Sequence, residues 1–176
     1  RSHAHELLGR QEGAQLVDNF KKTHPKVIED LIPNQLPLGG VVRVLQGLLR
    51  EQVSIRDLLT IMETLADEAP HTKDIDSLTE AVRKRLARSI TRKYTNEDGM
   101  IPVISLASHY EEMISNSLLQ TEQGVQLVMD PQSAHNMITD IATMVERHPE
   151  IAGQPILLTS PTIRRHIRRL TERFIP

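Results

Sequence analysis

The chain has 176 residues, 39% of them apolar and 25% charged, which suits one ordinary domain or two small ones and excludes wholesale disorder. Its 21 basic and 23 acidic residues leave a net charge of −2, so no global field draws it to nucleic acid or anionic lipid. With no cysteine there are no disulfides, thiolate nucleophiles or cysteine-ligated zinc, and 2% aromatic residues argue against a base-stacking platform.

From Gln11 to Tyr94 apolar residues recur at helical spacing. Leu16, Val17 and Phe20 form one stripe, after which Pro25 starts a new turn. Val27, Ile28, Leu31 and Ile32 form a second, ended by Pro33. Val41, Val44, Leu45, Leu48 and Leu49 predict a third helix, opened by Pro37. A fourth carries Leu58, Leu59, Met62, Leu65 and Ala66 and ends before Pro70. Leu78, Val82, Leu86 and Ile90, spaced by four, predict one continuous fifth helix. Ser54 with Asp57 and Ser77 with Glu80 have the spacing of capping boxes, each worth about 1 kcal/mol.

The texture changes at Asn96-Glu97-Asp98-Gly99. Ile101-Pro-Val-Ile-Ser-Leu106 reads as a strand near a sheet edge, because Pro102 lacks the ladder donor. Ser108 with Glu111 predicts a capped helix through Met113, Ile114, Leu118 and Leu119. Val125–Met129 reads as a second strand and Ile156–Thr159 as a third. Asp130-Pro131 and Ser160-Pro161 each open a helix. The expected fold is therefore mostly helical α+β: an all-helical subdomain over 1–97, then a small α/β subdomain with about three short strands over 98–176. Nothing pairs after Phe174-Ile175-Pro176, so the natural chain is expected to continue.

No catalytic or metal-binding constellation stands out. His5-Glu6 begins like a zinc-peptidase helix motif, but Gly9 stands where the second histidine is needed. His3 and His5 read as exposed terminal histidines. Gly39-Gly40 lacks the lysine and hydroxyl of a phosphate loop and reads as a turn that lets helices pack closely. The pairs Asp67/Glu68, Asp74/Asp76 and Glu111/Glu112 read as caps or solvated faces. Ser108-His109 carries no triad geometry. Arg83, Lys84, Arg85, Arg88, Arg92 and Lys93 complement a helix dipole. No cofactor is expected.

The sharpest charged feature is the helix after Pro161. Ile163, Ile167, Leu170 and Phe174 fall on one stripe, while Arg164, Arg168, Arg165 and Arg169 form two i,i+4 pairs opposite, continued by Arg173. Such a face suits an acidic partner or a neighbouring subunit. A nucleic-acid reading of it, as a small helical DNA- or RNA-binding protein, is weaker because only this one helix of the half is basic.

Several ordered blocks together resemble the FlhA family of flagellar export-gate proteins. They are His5-Glu-Leu-Leu-Gly-Arg-Gln-Glu12, Asp30-Leu-Ile-Pro33, Val44-Leu45 with Leu48-Leu-Arg-Glu51, and Val53-Ser-Ile-Arg-Asp57 running into Glu63-Thr-Leu-Ala66. Thr72-Lys-Asp74 with Leu78-Thr-Glu80, and Ile156-Leu-Leu-Thr-Ser-Pro161 before Ile163-Arg164, extend the likeness over essentially the whole chain. The homologous export gate of virulence injectisomes shares Val53–Asp57 and is the close alternative.

The resemblance implies the cytoplasmic part of a bacterial inner-membrane protein, membrane contact being made only by a preceding region. It implies a flagellar type III protein export gate and not an enzyme. Its implied partners are export chaperone–substrate complexes, the export ATPase with its regulator, other flagellar export proteins, and further copies in a homo-oligomeric ring. Residues 1–15 would be the tail of a preceding subdomain. The family's chaperone-docking dimple lies mainly upstream, so this segment alone is expected to bind chaperone–cargo weakly or not at all. Arg56 and Asp57, with Arg164, Arg165, Arg168 and Arg169, are the candidate partner or interface residues.

Overall fold

Prolines set where the first helices begin. Pro25 lies in the first turn of its helix and Pro37 at the N-cap of the next, where a missing N–H costs no intrahelical bond. The computed structural model describes residues 8–122, 124–152 and 155–174. The chain divides into two units, Arg1–Tyr94 and Thr95–Pro176.

Among the described residues the first unit holds helices and the loops that join them: α1 (Arg10–Thr23), α2 (Pro25–Leu31), α3 (Leu38–Arg50), α4 (Leu58–Glu68), α5 (Ile75–Arg85) and α6 (Ala87–Tyr94). Helix α5 packs on both α3 and α4, α2 packs on α4, and α1 closes over α2 and α3. Val44, Leu45 and Leu48 of α3 meet Ile61, Met62 and Leu65 of α4 and Leu78 and Val82 of α5, all without exposed surface. Burying one such side chain contributes about 1.5–3 kcal/mol, so this cluster dominates the unit's stability. The buried hydroxyls of Thr64 and Thr79 donate to the carbonyls of Thr60 and Ile75, so neither is left unsatisfied. Lys73 ties α4 to the segment before α3, its Nζ donating to the carbonyls of Ala69 and Gln35.

Three expectations for this unit are corrected. The fifth helix is not continuous: α5 ends at Arg85 and α6 starts at Ala87. Four-residue spacing drifts by about 40° per step against a 3.6-residue turn, so a straight helix would carry Ile90 about 120° away from Leu78. The break at Leu86 keeps that buried side chain in the core while Ile90 packs at its margin. Gly39-Gly40 is no turn but lies inside α3, where a Cβ on Gly40 would come within 2.8 Å of Leu36 Cδ1. Ser54 and Ser77 are not N-caps. Asp57 caps α4, accepting from Thr60 N–H at 3.1 Å, and Asp74 caps α5, accepting from Ser77 N–H at 2.9 Å. In both cases an aspartate three residues away, after Ser54 and before Ser77, accepts the first-turn N–H, and its negative charge suits the helix's positive end, so each helix starts at the aspartate.

The second unit joins α7 (Ser108–Asn116), α8 (Pro131–Arg147), α9 (Pro149–Ala152) and α10 (Pro161–Thr171) to four short strands. Strand β1 (Ile104–Ser105) pairs in parallel with β4 (Leu157–Leu158), Ile104 opposite Leu157. Strands β2 (Leu118–Thr121) and β3 (Gly124–Leu127) pair antiparallel, Leu118 opposite Leu127. Ile114, Met137, Ile141, Ile163 and Ile167 form the core, with Leu118, Leu127 and Leu157 packed against it. The mostly helical α+β expectation agrees with this architecture, and Asp130 caps α8 as expected, accepting from Ser133 N–H at 2.9 Å.

The boundaries differ. Only Ile104–Ser105 of the expected first strand is paired, since Pro102 has no N–H to give. Leu118 and Leu119 leave the helix for β2. Ser117 ends α7, its N–H bonding the Ile114 carbonyl, and its own carbonyl accepts from Val128 N–H at 2.8 Å, which starts the hairpin. Ser108 is not the cap of α7, which Ala107 precedes.

Candidate functional site

Arg56 and Asp57 stand on the segment between α3 and α4, and the way α3 ends places them. Gln52 adopts a φ of 58°, the left-handed conformation that disfavours side chains. Its N–H bonds the Leu49 carbonyl and Val53 N–H bonds the Leu48 carbonyl, both at 2.9 Å, the two-bond cap that closes a helix. Val53 is thereby returned to the core beside Leu48. Lys93 donates to the Gln52 carbonyl at 3.1 Å and fixes the same corner from α6. Residues Ser54 to Asp57 then run outward: Ile55 packs at the core margin and Arg56 is exposed. Asp57 is occupied as a cap, its second oxygen accepting from Thr60 Oγ1 at 2.8 Å. Of this pair, Arg56 is the side chain available to a partner.

Beside that corner, Arg83 of α5 bonds Glu51 at 2.7 Å, with side chains 17% and 18% exposed. One of the six cations assigned to a helix dipole is therefore also a partly buried ion pair between α3 and α5. Lys84, Arg85, Arg88, Arg92 and Lys93 are exposed.

The arginines of α10 are not one solvated face. Ile163, His166 and Ile167 are buried, and Arg164 and Arg165 are half-buried. Arg165 Nε donates to His166 Nε2 at 3.3 Å. Arg168 and Arg169 are exposed, Arg168 reaching Glu172 at 3.9 Å. Phe174, expected on the apolar stripe, is 61% exposed because α10 ends at Thr171; His166, one turn from Ile163 and Leu170, completes the stripe instead.

The second unit also holds a cleft of about 370 Å³ between β1, α7 and α8, lined by Ser105, Ala107, Tyr110, Asp140, Met144 and Arg147 among others. Across it the Tyr110 hydroxyl donates to Asp140 Oδ2. That bond to a carboxylate holds the phenol's pKa above its ordinary value of 10.0. No sequence signal announced this pair, whose members lie on separate helices. His3, His5 and Glu6 lie outside the described residues. Among the described residues no group of three histidine or carboxylate side chains could hold a metal ion. Nor is any of their helices long and apolar enough to cross a membrane.

The flagellar biosynthesis protein FlhA of Bacillus subtilis is 39% identical over 176 residues, all of this chain and 26% of the relative. The chain thus spans about a quarter of that curated relative's length. Among solved structures, the nonameric EscV cytosolic domain from the type III secretion system superposes with a TM-score of 0.84 at 32% identity, covering 99% of this chain and 51% of that one. The Chlamydia pneumoniae CdsV protein in its complex with CdsO does so at 0.82 and 31%, covering 98% and 51%. The FHIPEP family model matches residues 1–176, and the chain belongs to the FHIPEP family.

Proposed function

We propose that this chain is part of the cytoplasmic portion of a flagellar type III protein export gate, a non-enzymatic docking platform at the cytoplasmic face of the bacterial inner membrane. The observation that carries the reading is 39% identity to a flagellar biosynthesis protein along every residue of the chain. In the intact protein the platform assembles as a homo-oligomeric ring. It receives export chaperone–substrate complexes, the export ATPase with its regulator and other export proteins. A relative solved as a nonamer and another solved with CdsO support ring and partner docking in general. Residues 1–97 and 98–176 act as two subdomains of that platform. Exposed Arg56 is proposed as a ring or partner contact, with the Arg164, Arg165, Arg168 and Arg169 helix as a second partner surface.

A virulence injectisome gate is the second reading, favoured by the likeness to the EscV domain from a type III secretion system. Inactivating the gene in its own bacterium separates the two. Loss of filaments and swimming, restored by the intact gene, supports the flagellar gate. Normal swimming with lost effector secretion supports the injectisome, and unchanged export of both kinds removes the reading. Arg56→Ala is expected to reduce swimming or ring formation; if both stay intact, Arg56 has no such role.

A further inference from the structure

The outer side of α5 and α6 carries a charge ladder that the dipole argument accounts for only in part, Lys84 and Arg92 lying in last turns and Arg88 not. Lys84, Arg88 and Arg92 are spaced by four and exposed, and none forms an ion pair with a described residue. Four-residue spacing sets Arg88 and Arg92 about 5–6 Å apart on one face of α6, and Lys84 stands at the end of α5 just before the break at Leu86. Helix α6 has no fully buried side chain and rests on the core through Ile90. Its amino end follows buried Leu86, and Lys93 pins its other end to Gln52. Dipole compensation needs cations only in the last turn, so Arg88, in the first turn of α6, lies outside that explanation.

We propose that this ladder is a docking strip for an acidic helical segment of a partner protein, one presenting carboxylates four residues apart. Two features select a narrow acidic rod over a wide anionic surface. The neighbouring cations Arg83 and Arg85 are already paired, with Glu51 at 2.7 Å and Asp67 at 3.8 Å, so a single acidic helix can satisfy the row whereas a wide lipid headgroup layer or a DNA duplex finds few further free cations beside it. The exposed large apolar side chains of the first unit's described residues reduce to Leu59, on α4, so the strip has nothing to insert into a bilayer. Arginine at two of the three rungs suits carboxylate recognition, because its planar fork donates to both oxygens at once. The inference stands on the first unit alone and does not depend on the export-gate reading.

The test uses the 176-residue chain and a fluorescent alanine-rich helical peptide with glutamate at every fourth position. Anisotropy titrations are expected to show binding that weakens steeply with added salt. Lys84→Glu/Arg88→Glu/Arg92→Glu is expected to lower the affinity by about tenfold or more. Lys21→Glu/Lys26→Glu, exposed on α1 and α2, leaves it unchanged. Arg88→Gln/Arg92→Gln, milder for folding, gives an intermediate loss if the triple variant does not fold. Equal affinity for a peptide of the same composition with scrambled glutamates overturns the proposal. So does tighter binding to phosphatidylglycerol vesicles or duplex DNA, or a peptide affinity insensitive to both sets of ladder substitutions.

Discussion

Glu111 of α7 accepts the backbone N–H of Ser160, 49 residues away, at 2.9 Å. Ser160 is the N-cap of α10, and no side chain of its own caps that helix. A carboxylate borrowed from α7 therefore satisfies a donor at the positive end of α10 and locks two helices of the core together. Glu111→Ala is expected to destabilise the second unit by about 1–3 kcal/mol, while Glu111→Gln, which keeps an acceptor, costs less. Urea unfolding followed by amide NMR of that unit checks both.

Asp130 makes stability pH-dependent. The backbone N–H of Ser133, then its hydroxyl, hold the Asp130 carboxyl below its ordinary pKa of 3.8. A depressed folded-state pKa contributes stability above the unfolded value, lost as pH falls through the folded one. Asp130→Ala is therefore expected to lower the melting temperature at neutral pH, with the gap to the unmodified chain closing below about pH 3.8. A gap that stays constant on acidification contradicts this.

Tyr110 works in the opposite direction. Its hydrogen bond to Asp140 favours the neutral phenol and raises the pKa above 10.0, so its contribution is complete below that value and lost as pH rises through the folded-state pKa. Ultraviolet titration of phenolate formation is expected to show one tyrosine ionising late, and Asp140→Ala to bring it back toward 10.0. An unchanged titration in the variant rules the interaction out.

Gln52 holds a backbone conformation that glycine adopts without strain. Since left-handed geometry costs an ordinary residue about 1–2 kcal/mol and glycine's extra chain entropy about 0.5–1, Gln52→Gly is expected to stabilise the first unit by up to about 1 kcal/mol. Thermal unfolding by circular dichroism reads it. Destabilisation would mean that the Gln52 side chain, whose Oε1 lies 3.5 Å from Lys93 Nζ, matters more than the backbone.

The cap residues show how far local chemistry can be read and where it misleads. Asp57, Asp74 and Asp130 each precede a hydroxyl residue by three positions and each accepts its N–H. At Asp130 the following proline marked the start. At Asp57 and Asp74 a neighbouring serine drew attention, though Ser77 is the donor three residues inside the helix. The repeated Asp-x-x-Ser/Thr pattern was the available signal.

Of the candidate interface residues, Asp57 is a cap and Arg164 and Arg165 are half-buried, whereas Arg56, Arg168 and Arg169 stay exposed. Local sequence could assign each a helix or loop but not its degree of burial, which depends on what packs against it.

What the sequence by itself determined was the set of apolar stripes, the proline and aspartate starts, and hence a helical first half followed by mixed α and β. Those features act within one turn of chain. What only the tertiary structure decided was every outcome set by a distant partner. Leu118 and Leu119 left the helix because residues 124–127 offered a ladder, Leu86 broke a helix to stay in the core, and Glu111 passed over its own helix to cap α10. Long-range pairing and burial outweigh local preferences of a few tenths of a kcal/mol per residue, and no window of sequence contains the partner.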